Sequence, residues 1–319
     1  HSFISFIKVY VVSFLKQYRV KILILMASYN GVQWIADQLD SILGQLNVDI
    51  TINISDDLSS DGSFEYLKNR AENDCRVVLL DRVKSGSSGK NFYRLVSDVD
   101  TSGFDYVAFA DQDDIWNLDK LSRHVALIKS ENAECVSSNV MAFWPDGSKK
   151  LICKSQAQKS HDFIFEAAGP GCSVLMTPWL LNKLREELQS SKSPAKNVLM
   201  HDWLIYAICR AHQRKWLIDP VPSLMYRQHA NNVIGANSGI RAILYRIRKS
   251  NDGWYRDEVS KICDVVIGIN PDPYLVRLSG LLKARTFLSQ LKLLPYTLQA
   301  RRKLIDQVVL GLYVLLFIF

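Results

Sequence analysis

The sequence predicts an α/β protein with a mostly parallel sheet flanked by helices, followed by a helical extension. Three observations carry this. Between residues 21 and 123 short apolar runs alternate with stretches of helical periodicity. Three of those runs end in a cluster of polar residues, as strands do where an open parallel sheet binds its ligand. After residue 239 the alternation gives way to longer, basic and apolar helical stretches.

In chain order, the short apolar runs 22–27, 50–55, 77–80 and 106–110 read as buried parallel strands. The intervening stretches 34–46, 64–71 and 91–99 read as helices, and 118–130 follows the fourth strand with apolar residues 118, 121, 125 and 128 at helical spacing. Residues 135–143 read as one strand ending in the turn Pro145-Asp146-Gly147. Gly169-Pro170-Gly171 is a break before the apolar run 172–176, and 178–189 and 201–211 read as helices. Residues 216–226 read as one extended segment. Beyond it, 240–250 reads as a basic helix, with later helices at 255–268, 273–290 and 294–319. This divides the chain into an apolar N-terminal segment (1–20), a catalytic-type domain (21–238) and a basic, apolar-rich extension (239–319).

Composition narrows the class. A chain of 319 residues, 48% hydrophobic and 22% charged, can bury a sizeable core. Its six cysteines are scattered with no CxxC pair, against a zinc site or a disulfide framework and in keeping with a reducing compartment. No cleavable signal peptide is legible in the N-terminal stretch, which Lys8 interrupts. The formal charge of +7 is uneven: residues 1–238 hold 26 basic and 26 acidic side chains, leaving 13 basic and 6 acidic for 239–319. A basic, apolar tail suits an anionic membrane surface, and it carries no base-reading element for nucleic acid. The final charge-free stretch 308–319 is shorter than the roughly 20 residues a spanning helix needs.

The polar clusters are Ser28-Tyr29-Asn30-Gly31 after the first strand, Asp56-Asp57-Leu58-Ser59-Ser60-Asp61-Gly62 after the second and Asp111-Gln112-Asp113-Asp114 after the fourth. The last is the most informative. Its carboxylates repel one another unless a cation lies between them, and Mg²⁺ or Mn²⁺ takes carboxylate and phosphate oxygens. The competing reading is an acidic cap on the helix that follows. Asp57 is open to a ligand role or a turn role, and Asp202 to chemistry or to helix capping. His201 reads as structural in most settings, and His229 as a metal or phosphate ligand or a loop residue. Ser85-Gly86-Ser87-Ser88-Gly89-Lys90-Asn91 is no phosphate-binding P-loop, because Lys84 stands where its first glycine is required and Asn91 where it needs Ser or Thr. No GxGxxG follows the first strand, against a dinucleotide-dependent oxidoreductase.

The order ASYNG, ISDDLSSDGS, FADQDDIW and MHDW resembles family 2 of the GT-A glycosyltransferases, over residues 21–238. The DQDDIW form and the later YRQHANNVIG are similar to the rhamnosyltransferases that build bacterial surface polysaccharides. The resemblance implies a nucleotide-diphospho-sugar transferase fold and an inverting, metal-dependent transfer from a dTDP- or UDP-linked donor. The acceptor would be a glycan or lipid-linked glycan, and the enzyme would sit peripherally at the cytoplasmic face of the plasma membrane. Carried onto this chain, Ala27, Ser28, Tyr29 and Asn30 would hold the nucleoside, Asp57 the pyrimidine ring and Asp111 the ribose, with Asn91 bordering the pocket. Asp113, with His229, would bind Mn²⁺ or Mg²⁺, and Asp202 would be the general base. Trp116, Gly171, Cys172, His201 and Trp203 would lie on the sugar and acceptor side, the tryptophans being equally compatible with core packing. Leu58 stands where the family has glycine. An inactive GT-A scaffold in a polysaccharide assembly complex is the alternative to an enzyme.

Overall fold

The computed structural model describes residues 19–229, 253–317 and 319. Most of the apolar N-terminal segment, the basic stretch 240–250 and Asn231-Asn232 therefore lie outside the described residues. A seven-stranded sheet runs in the order β10-β6-β9-β4-β1-β2-β3, from β1 (Val20–Ser28), β2 (Val48–Asp56), β3 (Val77–Leu79), β4 (Tyr106–Ala110), β6 (Cys135–Ser138), β9 (Leu175–Met176) and β10 (Trp216–Asp219). All its pairings are parallel except those of β9, which runs antiparallel between β4 and β6.

The buried sequence of β1 explains the layering. Ile22, Ile24 and Met26 join one core with Ile35, Leu39 and Ile42 of α1 (Ile35–Leu43) and Leu121, Val125 and Ile128 of α4 (Lys120–Glu131). Leu23, Leu25 and Ala27 join the other. That second core takes Phe92, Leu95 and Val96 of α3 (Ser88–Asp98), Leu180 and Leu184 of α5 (Pro178–Gln189) and Leu204 and Ile208 of α6 (His201–Ala211). A strand with both faces covered needs apolar residues at every position, which is why β1 shows no alternation. The remaining helix of this half is α2 (Ser63–Asn73), packed beside β3.

The four main strands and the helices 178–189 and 201–211 stand where the sequence puts them. The helices expected at 34–46, 64–71, 91–99, 118–130 and 255–268 also form as single helices, with ends shifted by one to three residues, but at four other places the chain breaks where one element was expected. Residues 135–143 form two strands in different sheets, because Asn139 between β6 and β7 (Val140–Phe143) turns its side chain to Lys154 N and Ser155 N (2.6 and 3.1 Å). Residues 216–226 likewise split into β10 and β11 (Leu224–Arg227), separated by Pro220 and Pro222, where no ladder N–H is available. β11, β7, β8 (Lys149–Ile152) and the short β5 (Ile115–Trp116), which the periodicity does not reveal, form a second sheet ordered β5-β11-β7-β8.

After residue 253 come α7 (Trp254–Ile269), α8 (Pro273–Ala284), α9 (Phe287–Ala300) and α10 (Leu304–Leu315). The single helix expected over 273–290 is interrupted by Arg285, at φ 46°, and restarted by Thr286, whose hydroxyl caps Ser289 N at 3.1 Å. The helix expected over 294–319 is broken at residues 301–303, where Arg302 turns inward. These helices are no appendage. Val259, Ile262, Cys263, Leu275 and Leu278 share one core cluster with α3, α5 and α6.

Candidate active site

The sheet order places β1 at a switch point, with β2 and β3 to one side and β4 to the other. The crevice beyond the strand ends at such a point is where open α/β sheets bind ligands. The loops after β1, β2 and β4 meet there.

Those loops are locked together. Asn30, at φ 47°, donates its backbone N–H to Ser59 Oγ (2.9 Å) and accepts Ser60 N on its side-chain oxygen (2.8 Å). Gln112 pairs with the backbone of Tyr29 in both directions, accepting its N–H at 2.8 Å and donating to its carbonyl at 2.7 Å, and also meets Ser28 Oγ at 3.1 Å. A Cβ on Gly31 would fall 2.3 Å from the Gln112 side chain, so only glycine admits this pairing. Tyr29 itself is 57% exposed and available to stack on a planar ligand.

Asp57 is nearly buried, and its carboxylate accepts the backbone N–H of Ser85 (2.5 Å) and Gly86 (3.0 and 2.9 Å). Its own N–H donates to Ser28 O. The next residue, Leu58, adopts φ 56°, the left-handed conformation that glycine takes without penalty, so the departure from the family pattern changes the cost of the loop rather than its path. Asn91 lies beneath the crevice: its amide donates to Ser55 O (2.9 Å) and Ser28 O (3.4 Å), tying the ends of β1 and β2.

Asp113 is brought to His229, with Oδ2 2.7 Å from Nε2, although 116 positions separate them. His229 follows β11 and stacks on Trp34 at 3.9 Å between ring centroids. Arg227 fastens the same strand by donating to Asp113 O (2.8 Å) and Asp37 Oδ2 (3.0 Å), and its N–H to Asp114 Oδ1 (3.1 Å). Trp34, Gln112 and Arg227 were not singled out by sequence reasoning; Gln112 and Arg227 lie inside the quoted motifs, while nothing in the sequence marks Trp34.

Asp111 is half-buried, and burial first, then the carboxylates of Asp113 and Asp202, push its pKa upward. Asp114 is fully buried and driven up by burial first, then by the carboxylates of Asp113 and Asp111. Beneath them, Lys120 is buried with its ammonium 3.1 Å above the Trp116 ring and donating to Cys172 O. Carboxylate oxygens of Asp111 and Asp114 and the Cys172 sulfur lie within 4.8 Å of one another. Such crowding of like charge is relieved by a cation. Asp113 and His229, a carboxylate and an imidazole in direct contact, are the residues that would hold a divalent cation here.

Asp202 opens α6, and burial raises its pKa to about 6, against the hydrogen bond it accepts from Trp203 N (2.8 Å). Its neighbour His201 is structural. The ring stacks on Phe92 (3.9 Å), meets Phe109 edge-on and is held neutral by burial, its pKa falling to about 3. Gly171 packs against it so closely that a Cβ there would fall 2.4 Å from His201 Nε2. Two expectations for the sugar side are corrected. Trp116 is 2% exposed beneath Lys120, and Trp203 is 5% exposed with its indole N–H donated to Phe163 O, so both serve the core. Cys172 is likewise fully buried, facing the Asp111–Asp114 pair from below.

The family model described as Glycosyl transferase family 2 matches residues 23–159. Over 243 residues the chain is 42% identical to a Shigella flexneri protein named dTDP-rhamnosyl transferase RfbG, covering 76% of this chain and 84% of that one. An uncharacterized glycosyltransferase of Nostoc sp. is 27% identical over 143 residues, covering 44% of this chain and 42% of that one. Among solved structures, Staphylococcus aureus TarS 1–349 with UDP-GlcNAc aligns at TM-score 0.58 and 14% identity, over 90% of this chain and 78% of that one. The mannosyltransferase PcManGT of Pyrobaculum calidifontis, with GDP-Man and Mn²⁺, aligns at TM-score 0.52 and 15% identity, over 95% and 82%. With its strand-end motifs gathered at the switch point of a GT-A sheet, the chain belongs to glycosyl transferase family 2 and is a glycosyltransferase.

Proposed function

We propose that this glycosyltransferase moves rhamnose, with inversion, from a dTDP-linked donor to a glycan or lipid-linked glycan in surface polysaccharide synthesis, using a divalent cation held by Asp113 and His229. The observation that carries this reading is the 2.7 Å approach of Asp113 Oδ2 to His229 Nε2 in a crevice crowded with carboxylates. The identity to the Shigella protein supports the choice of donor.

In this reading Tyr29 and the backbone of residues 27–30 hold the nucleoside, and Asp111 faces the ribose hydroxyls. Asp57, oriented by Ser85 and Gly86, accepts the pyrimidine N3–H on a remaining lone pair. When bound, a divalent cation at Asp113 and His229 supplies Lewis-acid stabilisation of the diphosphate charge. Asp202, with its pKa near 6, takes the proton of the acceptor hydroxyl as that oxygen attacks the anomeric carbon. The bond from that carbon to the diphosphate oxygen breaks, and its electron pair leaves with the diphosphate. One displacement inverts the centre and needs no enzyme nucleophile. We assign the reaction to the cytoplasmic face of the plasma membrane, where nucleotide sugars meet lipid-linked acceptors.

Calorimetric titration with dTDP, UDP and GDP, in Mn²⁺ or Mg²⁺ and in EDTA, tests this. Metal-dependent binding of dTDP ahead of the others is expected, and Asp113→Ala should abolish its metal dependence. Absence of binding to every diphosphate would replace the enzyme by the inactive scaffold.

A further inference from the structure

The hairpin of α9 and α10 is apolar on two sides. Leu293, Tyr296 and Ala300 of α9 and Leu310 and Val314 of α10 are buried in the molecular core. On the other side the same helices and the residue that ends α10 expose large apolar groups: Leu304 is 74% exposed, Ile305 65% and Leu316 64%. Eleven of the twenty-two exposed large hydrophobic side chains among the described residues lie between Phe287 and Phe317. They follow helical spacing, with Ile305, Val308, Leu312 and Leu315 along α10 and Phe287 and Leu298 along α9, and Phe287 stacks on Phe317 at 5.2 Å across one end. A helix apolar all round is buried or in lipid, and a contiguous exposed patch of this kind marks an interaction surface.

Charge decides between possible occupants. Between residues 287 and 317 the charged side chains are Lys292, Arg301, Arg302, Lys303 and a single acid, Asp306. Arg302 is buried against Asp162 and Glu166, whereas Lys292 and Lys303 are exposed. An apolar face bordered by cations is complementary to an anionic bilayer surface. At 12 residues α10 is about 18 Å long, against a hydrocarbon core of about 30 Å, and among the described residues no helix is long and apolar enough to cross a membrane.

We propose that the outward face of α9 and α10 is a membrane-docking surface that lies in the headgroup–acyl boundary of an anionic bilayer, with α10 parallel to its plane. This deepens the membrane side of the function proposed above and rests on that reading only for its purpose, not for its geometry.

The test is flotation of the full chain with vesicles of phosphatidylcholine plus phosphatidylglycerol and with phosphatidylcholine alone, with metal-dependent dTDP binding followed in parallel. Two variants change only exposed residues, Ile305→Ser with Leu312→Ser and Lys292→Glu with Lys303→Glu. The intact chain should float with the anionic vesicles. Losing two inserted aliphatic groups should weaken its partitioning about tenfold or more. The charge-reversed variant should lose its preference for phosphatidylglycerol and its sensitivity to salt. Flotation unchanged in the serine variant overturns the proposal. So does an intact chain that ignores vesicles, as a dimer dispersed by the serine substitutions (a second copy on the face) or as a monomer (the chain's own apolar residues covering it). Because dTDP binding is read separately, its loss would count against the donor site and not against this surface.

Discussion

Asp202 shows at single-residue scale how one environment bears on both the proposed base and stability. Its folded pKa of about 6 lies above the ordinary 3.8 because the charged form is desolvated. A raised carboxylate pKa means that the favourable contribution is complete below pH 3.8 and is lost as pH rises through 6. At neutral pH the ionised group therefore costs up to about 3 kcal/mol, less whatever solvent screening relieves. Asp202→Asn should lower transfer by about 10²–10⁴-fold, leave dTDP binding intact and raise the melting temperature at pH 7–8, with no gain near pH 4. In the intact enzyme kcat/KM should climb as pH passes through about 6; a profile flat there, or an active Asn variant, removes Asp202 from the role of base. Trp34 belongs to the same scale. Stacked on His229, it holds a ring that must face Asp113 across the crevice. Stacking is worth about 0.5–1.5 kcal/mol, so Trp34→Ala should weaken Mn²⁺-dependent dTDP binding roughly two- to tenfold, with Trp34→Phe restoring most of it.

At the scale of elements, α6 carries Asp202 to the crevice and His201 fixes where the helix begins. The ring is clamped between Phe92 of α3 and Phe109 of β4, and Gly171 closes over its outer edge. Gly171→Ala should push His201 outward, destabilising the fold by about 1–3 kcal/mol as overpacked cores do. It should also reduce kcat more than dTDP affinity, because α6 moves while β1 and β4 do not; unchanged denaturant midpoint and turnover would show that the contact yields without consequence. Of the strands that bear the site, β1 and β4 were legible because they are covered on both faces and continuously apolar, as Val107, Ala108 and Phe109 are, whereas β2 was legible by alternating Ile50, Ile52 and Ile54 with polar residues. The polar residues that follow them then stand out by contrast. What sequence reasoning missed depends on distant partners. Asn139 reads as part of a strand until Lys154 and Ser155 draw its side chain aside, and Trp116 reads as a sugar platform until Lys120 is found above it. The pairing of Asp113 with His229 could be suggested by motif resemblance, but Trp34 behind His229 has no local signature at all.

At the scale of the whole molecule, the C-terminal helices complete the catalytic half rather than extend it. Arg302 is fully buried, donating to Asp162 Oδ2 (2.9 Å) and Ala167 O (2.7 Å), and its N–H reaches Glu166 Oε1 (2.6 Å). Asp162 in turn accepts Tyr206 of α6 at 3.0 Å, and Tyr255 of α7 donates to Phe165 O at 2.6 Å. The segment 160–168 is thus held from the sheet side by α6 and from the far side by α7 and residue 302. Removing one partner of a buried pair leaves the other charge desolvated and uncompensated, which costs about 3–5 kcal/mol. Arg302→Met should therefore lower the denaturant midpoint sharply, although the residue is remote in sequence from every motif of the crevice. The same connections make a stronger demand of the chain cut before Trp254. It would expose the sides of Leu204 and Ile208 that now pack in one cluster with Val259, Ile262 and Leu275. Such a fragment should be recovered unfolded or aggregated and should bind no nucleotide diphosphate. A soluble fragment that still binds dTDP with Mn²⁺ would mean that the GT-A half closes its own core, and that the shared cluster contributes stability without being required for the fold.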